Sequence, residues 1–196
     1  MKQWDAINVV VGALKDDSAV RALFLKGSLA KDVGDEYSDV NLYCLVHDDQ
    51  LEDFFVKRIM YLEQYKTILF WSESNFVGPQ IVAIFEDGLH FDLYTVTEKR
   101  LPNRDSIKII YDPEKLLSQY QSMPLSLTSE DVIQLINEFF FVFYEYQFAY
   151  KRKDFSWASR LASHLSGEFA ILLRSVIEPS TGMLGFIKME AKLGNC

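Results

Sequence analysis

The chain has 196 residues, 49% of them hydrophobic and 24% charged, which is enough to bury a full core in one domain or in two small ones. Its 28 acidic and 20 basic residues give a net charge of −8, and this surplus of acid argues against DNA or RNA as the main ligand. The N-terminus has no apolar signal region, no run of about eighteen apolar residues occurs, and the two cysteines lack disulfide or metal spacing. We therefore expect a soluble, cytoplasmic protein with no nucleic-acid or membrane partner.

The first part of the chain alternates short apolar runs with amphipathic stretches, a pattern typical of a mixed α/β domain. The apolar spacing from Trp4 to Leu14 predicts a helix over 3–16. The Asp87-Gly88 pair favours a hairpin turn, because this dipeptide tolerates the positive φ that a tight turn requires. The pattern predicts strands over 22–25, 40–46, 67–71, 81–85, 89–97 and 107–111, a helix over 47–62, and a short helix after Asp112-Pro113.

The second part of the chain has helical periodicity only. Thr128, with Asp131 three residues later, favours the start of a helix that carries an aromatic stripe as far as Tyr150. Asp154 is a suitable N-cap for a second helix, which Pro179 ends. We therefore predict an α+β protein in which a mixed-sheet domain, residues 1–124, precedes a helical domain, residues 125–196.

Residues that can do chemistry concentrate between 27 and 41. Gly27-Ser28 follows a predicted strand and is expected to open a short helix, where backbone amides can face an anion. Asp39 and Asn41 then begin the next strand, and strand alternation places both side chains on one face. Neighbouring side-chain oxygens of this kind are what a hard cation such as Mg²⁺ requires.

These motifs resemble a known family. Gly27-Ser28 followed by Asp39-Val40-Asn41-Leu42 resembles the signature of the DNA polymerase β-type nucleotidyltransferase superfamily, and the loop AKDVGDEYSDVNL is similar to its streptomycin-type aminoglycoside adenylyltransferase branch. The resemblance covers about residues 20–178, since IIYDPEKLL and the helices joined by KRKDFSWA also fit, and EDGLHFDLYTV supplies Asp92 as the expected third carboxylate. It implies a nucleotidyltransferase sheet followed by a helical domain that closes the substrate cleft.

The resemblance also implies an activity, namely transfer of a nucleoside monophosphate, AMP from ATP, to a hydroxyl of a small acceptor such as an aminoglycoside-like antibiotic. Gly27 and Ser28 would hold the triphosphate, and Lys31 would reach a phosphate unless it is simply solvated. Asp39, Asn41 and Asp92 would bind Mg²⁺ or Mn²⁺, although a buried ion pair is an alternative for Asp92. A homodimer in which the subunits complete each other's cleft stays open as an expectation.

Asn41 departs from the family pattern, which has Asp or Glu at this position. An Asn still offers a carbonyl oxygen, but it removes one full charge from a site built on three carboxylates, so we expect weaker metal binding. Asp35 and Glu36 belong to the preceding loop and are poor substitutes. Two alternatives to the small-molecule enzyme therefore stay open: a catalytically impaired protein that binds nucleotide or a partner without turnover, and an enzyme that modifies a partner protein.

Glu145 is the candidate catalytic residue of the helical part. It stands among Phe141, Tyr144 and Tyr146, and a carboxylate against aromatic rings suits a general base that accepts the proton of the acceptor hydroxyl. The resemblance implies a helical-domain carboxylate in this role. The alternative is a solvated helix face that Glu145 shares with Glu138. The three histidines, His47, His90 and His164, show no metal-ligand spacing and are assigned no role.

Overall fold

The computed structural model describes residues 1–75 and 78–189, so Cys196 and the end of the predicted helical domain lie outside the described residues. The chain forms two compact units, Met1–Met123 and a second that begins at Pro124.

A six-stranded mixed sheet forms the first unit, with strand order β3-β4-β5-β2-β1-β6. Strands β2 and β5 run parallel, and the other neighbouring pairs are antiparallel. The strands are β1 Val20–Lys26, β2 Val40–Val46, β3 Ile68–Ser74, β4 Gln80–Phe85, β5 His90–Val96 and β6 Lys108–Tyr111, and the helices are α1 Lys2–Leu14, α2 Leu51–Phe55 and α3 Arg58–Leu62.

The two faces of the sheet pack differently because successive side chains of a strand point to opposite sides. One face carries the larger core, in which Leu25, Leu42 and Phe91 are fully buried together with apolar side chains of α1, α2 and α3. The other face carries a stack of rings, with Tyr43 centred 5.1 Å from Phe24 and 4.3 Å from Tyr94. Asn41 and Asp92 precede Tyr43 and Tyr94 by two residues, so they lie on this second face.

Two helices predicted in the first unit take another form. The predicted helix over 47–62 is divided into a 3₁₀ turn, Asp48–Gln50, and the short helices α2 and α3. The break follows α2, where the Arg58 side-chain Nε donates to the Phe55 carbonyl at 3.3 Å. No helix follows Asp112-Pro113, because Lys115 has φ 57° and the Asp112 carboxylate accepts the backbone N–H groups of Leu116 and Leu117.

Two long helices dominate the second unit, α4 Ser129–Lys151 and α5 Phe155–Ile177, followed by a 3₁₀ segment, Pro179–Leu184. The predicted capping box is confirmed, since Thr128 Oγ1 accepts from Asp131 N at 3.1 Å and Asp131 Oδ2 accepts from Thr128 N at 2.8 Å. The α+β class, a mixed sheet followed by a helical region, is therefore confirmed.

The helices α4 and α5 pack on each other through a small apolar core. Its buried residues are Val142, Ala149, Ala158 and Leu161, and the two alanines allow the helix backbones to approach closely. None of the helices in the described part of the chain combines the length and the hydrophobicity that crossing a lipid bilayer requires.

Candidate functional site

Two inner strands of the sheet, β2 and β5, bring the predicted metal ligands together near their N-terminal ends. Strand β1 ends at Lys26, whose Cα partner on β2 is Asn41, and Asn41 is in turn the partner of Asp92 on β5. Asp39 lies one residue before β2 and is partly buried. Because Asp39 and Asn41 are two residues apart, the trio Asp39, Asn41 and Asp92 meets on one face of the sheet, as the sequence predicts.

Asp92 is a buried carboxylate whose charge is only partly compensated. It is 6% exposed, and this burial raises the pKa of its carboxyl group above the ordinary value. The negative charge of Asp39 raises this pKa further, whereas His90 lowers it. A positively charged ligand bound between Asp39 and Asp92 would therefore relieve both the burial and the repulsion.

His90, to which the sequence analysis assigned no role, contacts the predicted metal ligand Asp92. Its Nε2 lies 3.1 Å from Asp92 Oδ1, and its side chain is 44% exposed. A hydrogen bond from an imidazole N–H to one carboxylate oxygen orients the carboxylate and leaves the other oxygen for a ligand. The alternation His90-Phe91-Asp92 on an extended strand is the signal that could have found it, because residues two apart share a face.

Gly27 lies beside Asn41 and turns the chain away from the sheet. It has φ 76°, and a Cβ atom placed on it would come within 3.5 Å of Asn41 Nδ2. The short helix predicted after Gly27-Ser28 is wrong: residues 28–32 form a turn in which Val33 N donates to the Ser28 carbonyl at 3.0 Å. Asp32 adopts φ 57°, a left-handed conformation that ends the turn before a helix can propagate.

Two lysines differ in their availability to a phosphate. Lys31 forms an ion pair with Asp105, with 2.8 Å between Nζ and Oδ1. Lys26 is buried, and its Nζ donates to the carbonyls of Pro102 and Arg104 at 2.9 and 2.7 Å. Burial lowers the pKa of the Lys26 ammonium to about 8. The sequence analysis missed this lysine because it continues an apolar strand.

The loop before β2 is anchored by a side chain of the first helix. Gln3 is fully buried on α1, and its Nε2 donates to the carbonyls of Asp35, Glu36 and Ser38 at 3.1, 3.1 and 2.9 Å. The Asp35 carboxylate accepts the Tyr37 backbone N–H at 3.0 Å. Asp35 and Glu36 therefore belong to the loop rather than to the sheet face that carries Asn41 and Asp92.

Glu145 lies on α4 in the second unit and is exposed. Exposure of this side chain agrees with the solvated alternative that its helix position left open. Its role as a general base stays a prediction.

The chain is similar to proteins that are already known. The sequence model of a family described as streptomycin adenylyltransferase matches residues 1–178. No curated protein sequence matches. Among solved structures, the chain is similar to an aminoglycoside 6-adenyltransferase from Bacillus subtilis, with 14% sequence identity, a TM-score of 0.42, and coverage of 98% of this chain and 78% of that one.

Proposed function

Because the chain belongs to the streptomycin adenylyltransferase family, whose sequence model matches residues 1–178, we propose that it transfers AMP from ATP to a hydroxyl of a small acceptor. The observation that carries this proposal is the meeting of Asp39, Asn41 and Asp92 on one sheet face beside the Gly27 turn. Family membership supports nucleotidyl transfer in general, and the placement of these residues supports a phosphate-handling site in this chain.

The donor set fits a divalent metal ion. All three side chains offer oxygen, the ligand type that Mg²⁺ and Mn²⁺ prefer, and the raised pKa of the buried Asp92 carboxyl marks a position that gains from a bound cation. Asp39, Asn41 and Asp92 would hold the ion, and when bound it would neutralise charge on the triphosphate and on the pyrophosphate that leaves. Only Asp39 and Asp92 of this trio are carboxylates. Their negative charge balances one divalent ion better than two.

The turn after β1 supports binding of the triphosphate. With φ 76°, Gly27 redirects the backbone directly beside Asn41, and Ser28 follows with a partly exposed hydroxyl-bearing side chain. Backbone N–H groups and a serine hydroxyl are suitable donors to phosphate oxygens. Lys31 would join them only after leaving its ion pair with Asp105.

The acceptor is proposed to be small and cationic, as an aminoglycoside-like antibiotic is. The net charge of −8 favours association with a cationic molecule. Glu145 is exposed on α4 and is proposed to accept the proton of the acceptor hydroxyl.

A second candidate function has a specific observation in its favour. Asn41 stands where the family pattern has a carboxylate, and its Cα pairs directly with that of Asp92, so the loss of charge falls at the centre of the site. Such a protein would bind nucleotide, or a partner, without turnover.

The two candidates are separated by one assay. The protein is incubated with ATP, Mg²⁺ or Mn²⁺ and a panel of aminoglycosides, and pyrophosphate release is measured beside the thermal stabilisation caused by nucleotide alone. Release that depends on an acceptor supports the transferase. Stabilisation without release supports the binding protein, and the absence of both contradicts both.

Asn41→Asp gives the assay its internal control. A restored carboxylate increases the charge that faces the metal, so pyrophosphate release should rise by at least about tenfold at limiting Mg²⁺. Asp53→Asn, which removes an exposed carboxylate of α2, should change nothing.

A further inference from the structure

A second cluster of metal-ligating side chains lies in the helical unit, far along the chain from the strand residues. Glu138 of α4 and His164 and Glu168 of α5 bring one ligand atom each to within 4.8 Å of one another. His164 and Glu168 are four residues apart, so they lie on the same face of α5, one turn from each other. The neighbouring helix α4 supplies Glu138 to the same place.

The distances in the cluster are close to those of a coordination shell. His164 Nε2 lies 2.9 Å from Glu168 Oε1 and 3.8 Å from Glu138 Oε1. Donor atoms around a tetrahedral Zn²⁺ lie roughly 3.4 Å apart, as follows from metal–ligand bonds near 2.1 Å. Only small movements are therefore needed, and Glu138 can make them because it is exposed.

Glu168 has a buried oxygen atom that needs a partner. The residue is 6% exposed, and although Oε1 contacts His164, Oε2 is buried and has no hydrogen-bond partner in the described part of the chain. A buried, unsatisfied carboxylate oxygen is costly, since burial removes its water without replacing the lost hydrogen bonds. This atom belongs to the same carboxylate that contacts the imidazole, so a cation bound there would satisfy it.

The imidazole alone cannot satisfy both carboxylates. Nε2 carries at most one hydrogen atom, which Glu168 Oε1 accepts at 2.9 Å, and the 3.8 Å to Glu138 is too long for a hydrogen bond. Arg160, one turn earlier on α5, is exposed and takes part in none of the ion pairs found among the described residues. A divalent cation bound among the three side chains would supply the positive charge that the two carboxylates otherwise lack in this cluster.

We propose that Glu138, His164 and Glu168 form a binding site for a divalent transition metal, Zn²⁺ in the first instance. The nitrogen ligand favours Zn²⁺ over Mg²⁺ and Ca²⁺, which take oxygen ligands, and three protein ligands leave a fourth position for water. Helix pairs commonly build metal sites from Glu and His side chains at helical spacing. The site joins α4 to α5 and shares no residue with the nucleotide site proposed above.

Zinc binding to the whole 196-residue chain tests the proposal. Because Asp39 and Asp92 can also bind a metal ion, the titration is done in the Asp92→Asn background, with Zn²⁺ alone and a chromophoric chelator as competitor. We expect one bound Zn²⁺ that excess Mg²⁺ does not displace, and an affinity that falls at least about tenfold in both His164→Ala and Glu138→Gln, since even the loss of an outer-shell partner has that effect. Glu130→Gln, an exposed carboxylate of the same helix, is the matched control and should bind as before.

A spectroscopic measurement gives a second readout. Co²⁺ in place of Zn²⁺ should show the intense visible absorption of a tetrahedral site, and this absorption should disappear in His164→Ala. If His164→Ala fails to fold, the exposed residue change Glu138→Gln decides the result. The proposal is overturned if no Zn²⁺ binds in the Asp92→Asn background, or if His164→Ala and Glu138→Gln bind Zn²⁺ as tightly as Glu130→Gln.

Discussion

Both units contain a half-exposed imidazole beside a buried carboxylate, and the two pairs are held in different ways. In the sheet, His90 and Asp92 are two residues apart on β5, with side chains 44% and 9% exposed. In the helices, His164 and Glu168 are four residues apart on α5, with side chains 50% and 8% exposed. Each spacing is the one that its secondary structure places on a single face.

The third members of the two clusters, Asn41 in the sheet and Glu138 in the helices, are positioned in different ways. In the sheet, Asn41 is placed beside Asp92 by the register of a parallel strand pair, which backbone hydrogen bonds hold. In the helices, Glu138 reaches His164 only through side-chain packing between α4 and α5, and it is exposed. The sheet cluster is therefore preorganised, whereas the helical cluster depends on a ligand to draw its third member in.

The largest expected effect is on pyrophosphate release, which should depend on the sheet cluster and not on the helical cluster. Asp92→Asn should lower pyrophosphate release by about 10³-fold, because losing several kcal/mol of metal-dependent stabilisation costs a factor of ten for each 1.4 kcal/mol or so. Glu138→Gln should leave release at the wild-type level, measured with ATP, Mg²⁺ and the best acceptor. Equal losses in both variants would mean that the two clusters serve one reaction.

His90 and His164 should also differ, because only the change at His90 should affect the reaction. This effect should be smaller than that of Asp92→Asn. His90→Ala removes the hydrogen bond that orients the Asp92 carboxylate, so the Mg²⁺ concentration for half-maximal pyrophosphate release should rise by about 10-fold to 100-fold. His164→Ala should not change this concentration. A Mg²⁺ requirement unchanged by His90→Ala would show that His90 does not position Asp92.

Packing around α5 gives a third test, measured as thermal stability. A Cβ atom at Gly182 would lie 2.4 Å from Ser175 Oγ and 3.2 Å from Ser175 Cα, so Gly182→Ala should destabilise the helical unit by about 1–3 kcal/mol. Gly167→Ala on α5 meets nothing within 4 Å and should stabilise the same unit by about 0.5–1 kcal/mol. If Gly182→Ala melts at the wild-type temperature, the 3₁₀ segment after α5 does not constrain that helix.

The Asp17 carboxylate contrasts with that of Asp92, because it has several hydrogen-bond donors whereas Asp92 has few. The pH dependence of the protein's stability tests this contrast. Burial raises the pKa of Asp17, but hydrogen bonds from Tyr61, Ala19 N and Lys57 outweigh it and hold the pKa below the ordinary value. A carboxyl group with a lowered folded-state pKa stabilises the protein above its unfolded pKa, and this contribution is lost as the pH falls through the folded value.

Asp17→Asn should therefore lower the free energy of unfolding by about 1–2 kcal/mol at pH 7, and by progressively less below about pH 4. Urea unfolding of the variant and the wild type at several pH values measures this difference. A difference that stays constant down to the acid transition would show that the charge of Asp17 is not what stabilises the fold.

Much of the local structure could be predicted from the sequence. Strand β2 has the predicted bounds, Val40–Val46, because an apolar run begins after Asp39 and ends before an acidic turn. The capping box at Thr128 and the N-cap at Asp154 also form as predicted, since a cap depends on residues within one turn.

The errors have a common cause. The turns after Gly27 and Asp112 were predicted as short helices, but Asp32 and Lys115 adopt left-handed conformations that propensity does not reveal. The predicted helix over 47–62 is broken where the Arg58 side chain donates a hydrogen bond to the Phe55 carbonyl. The two short helices would have had few backbone hydrogen bonds of their own, and each piece of the divided helix is equally short, so a single competing contact decides where such a helix forms or ends.

The sequence by itself determined the residue types and their local spacing: Asp39 two residues before Asn41, His90 two before Asp92, and His164 four before Glu168. Only the tertiary structure decided which of these pairs meet a third partner. The parallel pairing of β2 with β5 joins Asn41 to Asp92, and the packing of α4 on α5 joins Glu138 to His164. The physical reason is that backbone geometry repeats over a few residues, whereas partners distant along the chain are selected by burial of the whole core.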